Sequence, residues 1–306
     1  MVTVDITPPQ PEVPGLPDYV LDPNAVLRDT ADWRYGRAPD YTNTRRVYAQ
    51  TKSRNHEAAS LPDLVENLVK NWEVEASFKK DVNDWRTVDK ANYTFAINGG
   101  PPQSAEHMLK VGTYNAVIAA NEYYSPEYSD FSSSHKTFKR MMPFFAWEVL
   151  EVYSGPPQVA FKWRHWGTMK ADYVGFNESG QKVTAKAHGG PIDIQGLTVA
   201  KVDSQLRLQS VETWFDPLTM FRQIAPNGVV NKEVSTPKPG VDITTALHGS
   251  EGHEHKAESN SNSNPSVKLD PGEAALTPAD STETTMTHEE MSKVTPAECP
   301  FLMNKE

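Results

Sequence analysis

The chain has 306 residues, a formal net charge of −10 and one cysteine. The charge is uneven, because residues 241–306 hold 12 of the 40 acidic side chains and four of the 30 basic ones. The remaining body is close to neutral, so it lacks the basic excess that nucleic-acid binding requires. One cysteine excludes an internal disulfide framework, which is typical of a reducing compartment.

The composition also predicts the domain limits. The N-terminus has neither the basic start nor the apolar core of a signal peptide, and no apolar run reaches the roughly 18 residues of a transmembrane helix. We therefore expect a cytoplasmic protein without a membrane partner. Residues 1–15 are predicted to be a flexible Pro-rich arm, and residues 16–225 a folded domain that includes an N-terminal wrapping segment. Residues 226–306 are predicted to be a disordered acidic tail, because they contain too little apolar surface to fold.

Helical patterns come first along the chain. The stretch "SLPDLVENLVKNWEVEASFK" begins with Ser60, a favoured N-cap, and its apolar residues recur at helical spacing. "ANYTFAINGGPPQ" predicts a short strand that is ended by glycines and prolines. "SAEHMLKVGTYNAVIA" predicts a second helix capped by Ser104, and "NEYYSPEYSDFSSSHK" predicts a loop.

Strand patterns then follow. "FFAWEVLEVYSGPPQVAFKWRHWGTM" contains two β-rich runs joined by Ser-Gly-Pro-Pro, which indicates a hairpin. "GPIDIQGLTVAKVDSQLRLQSVETWFDP" predicts another strand pair. Helices followed by consecutive hairpins predict an α+β domain with helices on one face of an antiparallel sheet.

Longer phrases carry a family resemblance. "LPDY…DPNAVL…WRYGRAPDYT", "LVKNWE", "FAWEVLEVYSGPPQVAFKWRHWG" and "ETWFDPLTMFRQI" follow one another between Leu16 and Ile224, and they resemble the plant and fungal pathogen-related protein family. The resemblance implies an NTF2-like (SnoaL-like) cone, in which N-terminal helices pack on a curved antiparallel sheet around a cavity. Members of that superfamily include isomerases, cyclases, dehydratases and binding proteins. Such cones commonly pair, so a homodimer is one expected partner state.

His165 is the predicted general acid/base. Alternate side chains of a strand share a face, so Phe161, Trp163 and His165 are expected to point inward together. The intrinsic pKa of histidine suits proton transfer near neutral pH. The alternative is a buried histidine with a purely structural role.

Two carboxylates are predicted to assist His165. Glu148 lies across the hairpin, with an ordinary cross-strand ion pair on the solvent face as the alternative. The family resemblance implies a catalytic carboxylate near the end of the last strand, which points to Asp216. The alternative for Asp216 is a turn that begins just before Pro217.

Aromatic residues are expected to bind the substrate, with an apolar ligand site as the result. The predicted set is Trp72, Tyr93, Tyr114, Trp147, Trp163 and Trp214. No metal and no cofactor are expected, because the histidines of the tail lack structural zinc spacing and no phosphate-binding loop, nucleophile elbow or HExxH motif occurs.

These observations lead to three functional hypotheses. The first is a cofactor-independent isomerase, cyclase or dehydratase that acts on a hydrophobic metabolite of secondary metabolism. The second is a non-catalytic ligand-binding protein related to stress or defence. The third is an interaction protein that recruits partners through its acidic tail. A pocket that contains His165 and a nearby carboxylate favours the enzyme, whereas a purely apolar pocket favours the carrier.

Overall fold

The computed structural model describes residues 15–232. Most of the predicted arm and of the predicted acidic tail lies outside the described residues. The α-helices of the described part are α1 (Asp18–Leu21), α2 (Thr42–Thr51), α3 (Leu61–Phe78), α4 (Ala105–Val111), α5 (Thr113–Val117), α6 (Phe131–Met141) and α7 (Pro217–Ile224). Short 3-10 helices span Ala25–Arg28, Val82–Asp84 and Pro126–Tyr128.

The strands form two sheets. They are β1 (Thr94–Ile97), β2 (Phe145–Ser154), β3 (Gln158–Thr168), β4 (Tyr173–Phe176), β5 (Lys182–Ala185), β6 (Pro191–Val202), β7 (Leu208–Trp214) and β8 (Val230–Lys232). The larger sheet has the order β1-β7-β6-β3-β2, and the smaller one has the order β4-β5-β8. Only β1 and β7 pair in parallel within the described part of the chain. The predicted α+β class is therefore confirmed, as are both predicted hairpins.

Helix α3 organises the N-terminal wrapping segment. The Asn71 side chain donates hydrogen bonds to the backbone oxygens of Tyr19 and Asp22 at 2.9 and 2.7 Å, and it accepts one from the backbone N–H of Val26 at 3.1 Å. Asn71 is fully buried, so these bonds also satisfy an amide that would otherwise be costly to bury. These bonds fix the chain at Tyr19, Asp22 and Val26 to α3.

A buried ionic cluster fixes the C-terminal end of α3. Glu75, fully buried, accepts hydrogen bonds from the backbone N–H groups of Arg86 and Thr87 at 2.7 and 3.0 Å. Lys79, equally buried, donates to Glu75 at 2.9 Å and to Asp29 at 2.7 Å. Each buried charge thus has partners, as a stable interior requires.

Three sequence predictions are wrong in detail. The helix predicted after Ser104 is broken at Gly112, which has a φ of +92° that favours glycine. The predicted loop, residues 121–136, contains the first half of α6, whose polar sequence is held helical by buried Phe138 and Met141 and by the Asp130 capping box. Strand β8 lies beyond the predicted boundary at residue 225, so the folded part extends further.

Residues 15–232 contain neither a membrane-spanning helix nor a cluster of metal-ligating side chains. No helix there combines the length and the apolar composition that crossing a membrane requires. The same residues contain no cluster of three or more His, Cys, Asp or Glu side chains that could hold a metal ion. The histidines of the predicted tail and the single cysteine, Cys299, lie outside the described residues.

Candidate ligand cavity

A cavity of about 300 Å³ lies between the helices and the larger sheet. Its volume is at the lower end of the roughly 300–1,000 Å³ that is typical of small-molecule sites. Helices α2, α3, α5 and α6 form one wall, and all five strands of the larger sheet form the other. Apolar side chains dominate the lining, which suits a hydrophobic occupant.

Strand parity builds the sheet wall. Phe161, Trp163 and His165 alternate along β3 and all face the cavity, as the sequence predicts. Phe145 and Trp147 extend the wall from β2. The ring of Trp147 lies 6.2 Å from that of Phe161 and 6.5 Å from that of Trp163, between centroids. The result is an aromatic surface against which a flat or apolar molecule can pack.

The position of Trp163 depends on the absence of a side chain opposite it. Trp163 pairs in register with Gly196 on β6. Its indole Nε1 donates to the hydroxyl of Thr198 at 2.9 Å, and that hydroxyl lies 2.8 Å from the hydroxyl of Thr213. These contacts fix the indole plane, so the shape of this part of the cavity is set by the sheet.

Replacing Gly196 by alanine is expected to destabilise the protein and to weaken ligand binding. A Cβ at this position would lie 2.2 Å from Cζ2 of Trp163, so the indole would have to move into the cavity. Such overpacking costs about 1–3 kcal/mol. Urea unfolding measures the loss, with Gly155→Ala as the matched control, because its added Cβ would make only an ordinary 3.4 Å contact. Equal stability of the Gly196→Ala and Gly155→Ala proteins would contradict the argument.

His165 occupies the end of the aromatic row. Its ring stacks on Phe145 with 3.5 Å between centroids. Burial lowers the pKa of His165 to about 3, although a hydrogen bond with the backbone of Phe145 opposes that shift. The imidazole is therefore neutral at physiological pH. It can donate or accept a hydrogen bond in the cavity, but it is a weak base there.

Glu148 is not placed at the cavity. It is fully buried on the opposite face of β2, where it receives a hydrogen bond from Arg164 at 3.0 Å. The backbone N–H groups of Ser53 and Arg54 also donate to it, at 2.8 and 3.1 Å. Periodicity alone does not identify the inward face of β2, because each of its two faces carries one carboxylate. The cross-strand ion pair named as the alternative forms with Arg164, but Glu148 is buried there and does not lie on the solvent face.

Asp216 is likewise away from the cavity. The strand ends at Trp214, and Asp216 caps α7 by accepting hydrogen bonds from the backbone N–H of Leu218 and the hydroxyl of Thr219, both at 2.8 Å. These bonds lower the pKa of the Asp216 carboxyl, and the hydrogen bond from Thr219 has the largest effect. The geometry of Asp216 agrees with the turn alternative, since the turn begins helix α7. Asp216 is therefore not a carboxylate partner of His165.

Four of the six predicted aromatic ligand-binding residues line the cavity. Trp72 and Tyr114 lie on the helix wall, opposite the two tryptophans of the sheet wall. Tyr93 lies behind Trp72 and accepts a 3.0 Å hydrogen bond from its indole Nε1. Trp214 points to the outer face of β7 and is 37% exposed, because Thr213 and Val211 take the inner face.

The helix wall carries a polar cluster that sequence reasoning missed. We call it the polar end of the cavity, and it consists of Tyr41, Arg45, Glu73, Tyr114, His135 and Lys139. The hydroxyl of Tyr41 donates to Glu73 at 2.5 Å, and the hydroxyl of Ser77 lies 3.4 Å from the same carboxylate. The signal that could have found Glu73 is its position four residues after Val69, on the cavity face of α3.

His135 provides a second neutral imidazole at the polar end. Its ring stacks on Phe131 with 4.4 Å between centroids, and its Nε2 lies 3.3 Å from the hydroxyl of Thr113. Burial lowers the pKa of His135 to about 4, and the charge of Lys139 adds to that shift. The polar end therefore combines one carboxylate, two cations and a neutral imidazole.

Comparisons with known proteins agree with the sequence resemblance. No family model matches the chain. A pathogen-related protein from Hordeum vulgare is 31% identical over 192 residues, which span 60% of this chain and 78% of the relative.

Solved structures resemble the chain more weakly. A SnoaL-like protein from Jannaschia sp. CCS1, described as a polyketide cyclase, gives a TM-score of 0.32 at 12% identity, over 56% of this chain and 98% of the other. A protein from Catenulispora acidiphila with a ketosteroid isomerase-like fold gives 0.28 at 11% identity, over 51% and 90%. Superpositions at this level transfer no activity. The sequence identity and coverage shared with the barley protein establish that this chain belongs to the pathogen-related protein family.

Proposed function

We propose that this protein binds a hydrophobic small molecule in the cavity and transforms it by proton transfer without a cofactor. Isomerisation, cyclisation and water elimination are the reactions that such chemistry supports. One observation carries the proposal: a carboxylate, Glu73, and a neutral imidazole, His165, face the same apolar cavity from opposite walls. Paired titratable groups in unlike environments are typical of acid/base sites.

The proposed roles follow from the surroundings of each group. Glu73, which accepts a hydrogen bond from Tyr41, is the proton acceptor that replaces the predicted Asp216 and Glu148. His165 stays neutral, so its role changes from the predicted general base to a hydrogen-bond partner for a ligand oxygen. The aromatic walls exclude water and hold the apolar body of the ligand.

A second candidate is the non-catalytic ligand carrier. It is favoured by the mostly apolar lining of the cavity and by the absence, within residues 15–232, of a carboxylate hydrogen-bonded to His165. The carrier and the enzyme share the same binding step. They differ in whether a carbon-bound proton of the ligand is exchanged.

Deuterium labelling separates the two candidates. The purified protein is incubated in D₂O with a small-molecule extract of its source, and the bound compound is recovered by native mass spectrometry and chromatography. We expect the wild type to place deuterium on carbon. Glu73→Gln is expected to bind the same compound and to label it at least about 100-fold more slowly, since general-base catalysis contributes about 10²–10⁴.

Matched variants complete the experiment. Glu212→Gln, which changes an exposed carboxylate on β7 outside the cavity, is expected to behave as the wild type. His165→Phe is expected to bind the compound and to label it slowly. Binding without labelling by the wild type would establish the carrier. Failure of all four proteins to retain any compound would refute the binding proposal itself.

A further inference from the structure

We propose that the ligand carries an anionic oxygen, such as a carboxylate, and that Lys139 binds this oxygen at the polar end of the cavity. The ligand class would then be an amphiphilic organic acid whose apolar body lies along the aromatic sheet wall. This inference rests on the proposed function, because it assumes that the cavity is a binding site. It adds a specificity that neither the fold nor the proposed chemistry requires.

The first step is the balance of charge around the cavity. Arg45, Lys70 and Lys139 line it, together with the carboxylate of Glu73. The charge of Lys70 is neutralised by a 2.6 Å ion pair with Glu66, a carboxylate that does not line the cavity. Two cations therefore remain against one carboxylate, and the excess of positive charge favours an anionic occupant.

The second step is that neither remaining cation has a contacting acidic partner in the described part of the chain. Arg45 donates to the side chain of Asn24 at 3.1 Å and to the backbone oxygen of Pro23 at 2.9 Å, both of which are neutral. The ammonium of Lys139 lies over the rings of Phe78 and Tyr41, 4.5 and 5.7 Å from their centroids. Burial lowers the pKa of both groups, so an anion would relieve a desolvation cost.

The third step is access. Lys139 lines the cavity and retains solvent-exposed surface, so its side chain is not sealed in the core. Tyr114, which also lines the cavity, stacks on Phe138 of α6 with 4.3 Å between centroids, and its hydroxyl has no hydrogen bond within residues 15–232. Glu73, the one nearby carboxylate, already receives the hydroxyl of Tyr41. The lining thus contains an ammonium without an acidic contact and a phenol that can donate to a ligand oxygen.

The carboxylate of Glu73 would repel an anionic ligand. The proposal therefore predicts opposite effects on anion binding when the charge of Glu73 or that of Lys139 is removed. If the polar end binds anions, removing the charge of Glu73 must tighten anion binding. Removing the charge of Lys139 must weaken it. A cavity that selects only for apolar surface would show neither effect.

Two dyes that differ by one anionic group provide the probe. We would titrate the full-length protein with 8-anilinonaphthalene-1-sulfonate and with its uncharged counterpart N-phenyl-1-naphthylamine, at low ionic strength. The wild type is expected to bind the sulfonate at least about tenfold more tightly, which corresponds to about 1.4 kcal/mol. Lys139→Met is expected to remove most of this preference while it keeps its affinity for the neutral dye.

The remaining variants set the controls. Lys170→Met removes an exposed lysine that does not line the cavity, and it is expected to leave both affinities unchanged. Glu73→Gln is expected to tighten sulfonate binding a few-fold. Lys139→Gln gives a second readout if the methionine variant does not fold. Equal affinity of the wild type for both dyes, or no effect of either Lys139 variant, would overturn this inference and leave the binding proposal standing. Binding of neither dye would overturn both.

Discussion

Replacement of Glu148 by alanine is expected to destabilise the protein by about 3–5 kcal/mol, because it leaves a buried charge network without its centre. Glu148 is fully buried and accepts four hydrogen bonds, from Arg164, from the backbone N–H groups of Ser53 and Arg54, and from the Ser53 hydroxyl. These bonds tie the chain that follows α2 to the sheet. In a domain of this size the loss corresponds to a melting temperature lower by about 10 °C.

The measurement is equilibrium unfolding in urea, compared with Glu151→Ala three residues further along the same strand. Glu151 is exposed, so its removal is expected to change stability by less than about 0.5 kcal/mol. Glu148→Gln, which keeps the shape of the side chain, is expected to lie between the two. A Glu148→Ala protein that unfolds like the wild type but no longer labels its ligand would instead restore the catalytic role predicted from the sequence.

Acidification from pH 7 to pH 5 is expected to remove about 3–4 kcal/mol of stability before most carboxylates titrate. His135 and His165 have pKa values lowered to about 4 and about 3 from an ordinary 6.5, chiefly by burial. Between those values and 6.5 the unfolded chain binds protons that the folded protein does not. Stability therefore falls with decreasing pH through this window, by about 1.4 kcal/mol per pH unit for each imidazole.

Each histidine can be tested by its own variant. His135→Gln and His165→Phe are each expected to reduce the slope of unfolding free energy against pH by about one proton between pH 6.5 and 5. His107→Gln serves as the control, because His107 is exposed on α4. Slopes that are unchanged in both buried-site variants would show that other groups cause the acid sensitivity.

The order of the elements was readable from the sequence because hydrophobic periodicity and turn residues are local signals. The spacing after Ser60 predicted α3, and the Ser-Gly-Pro-Pro joint predicted the β2–β3 hairpin. The faces of strands were predictable only where no bulge intervened. The inward row of β3 was predicted correctly. The outward position of Trp214 and the anchoring role of Glu148 depend on register and on contacts with the chain that follows α2, which no local pattern contains.

The polar end of the cavity was missed for a related reason. Its members come from α2, α3, α5 and α6, which are far apart in sequence and meet only in the folded protein. In addition, the polar sequence of residues 121–136 predicted a loop over the first half of α6, so His135 was not considered as a lining residue. Tertiary packing of Phe138 and Met141 overrides that weak local preference.

The division of the cavity between sheet and helices has a consequence for how the family can diversify. Helix α2 contributes Thr44 and Arg45 to the lining of the cavity. No residue of α2 is fully buried. A change at Thr44 would therefore alter the lining without opening a hole in the core, whereas changes in the sheet wall would disturb the core. Paralogues could alter which compounds they accept by drift in this peripheral helix, while the sheet is inherited unchanged.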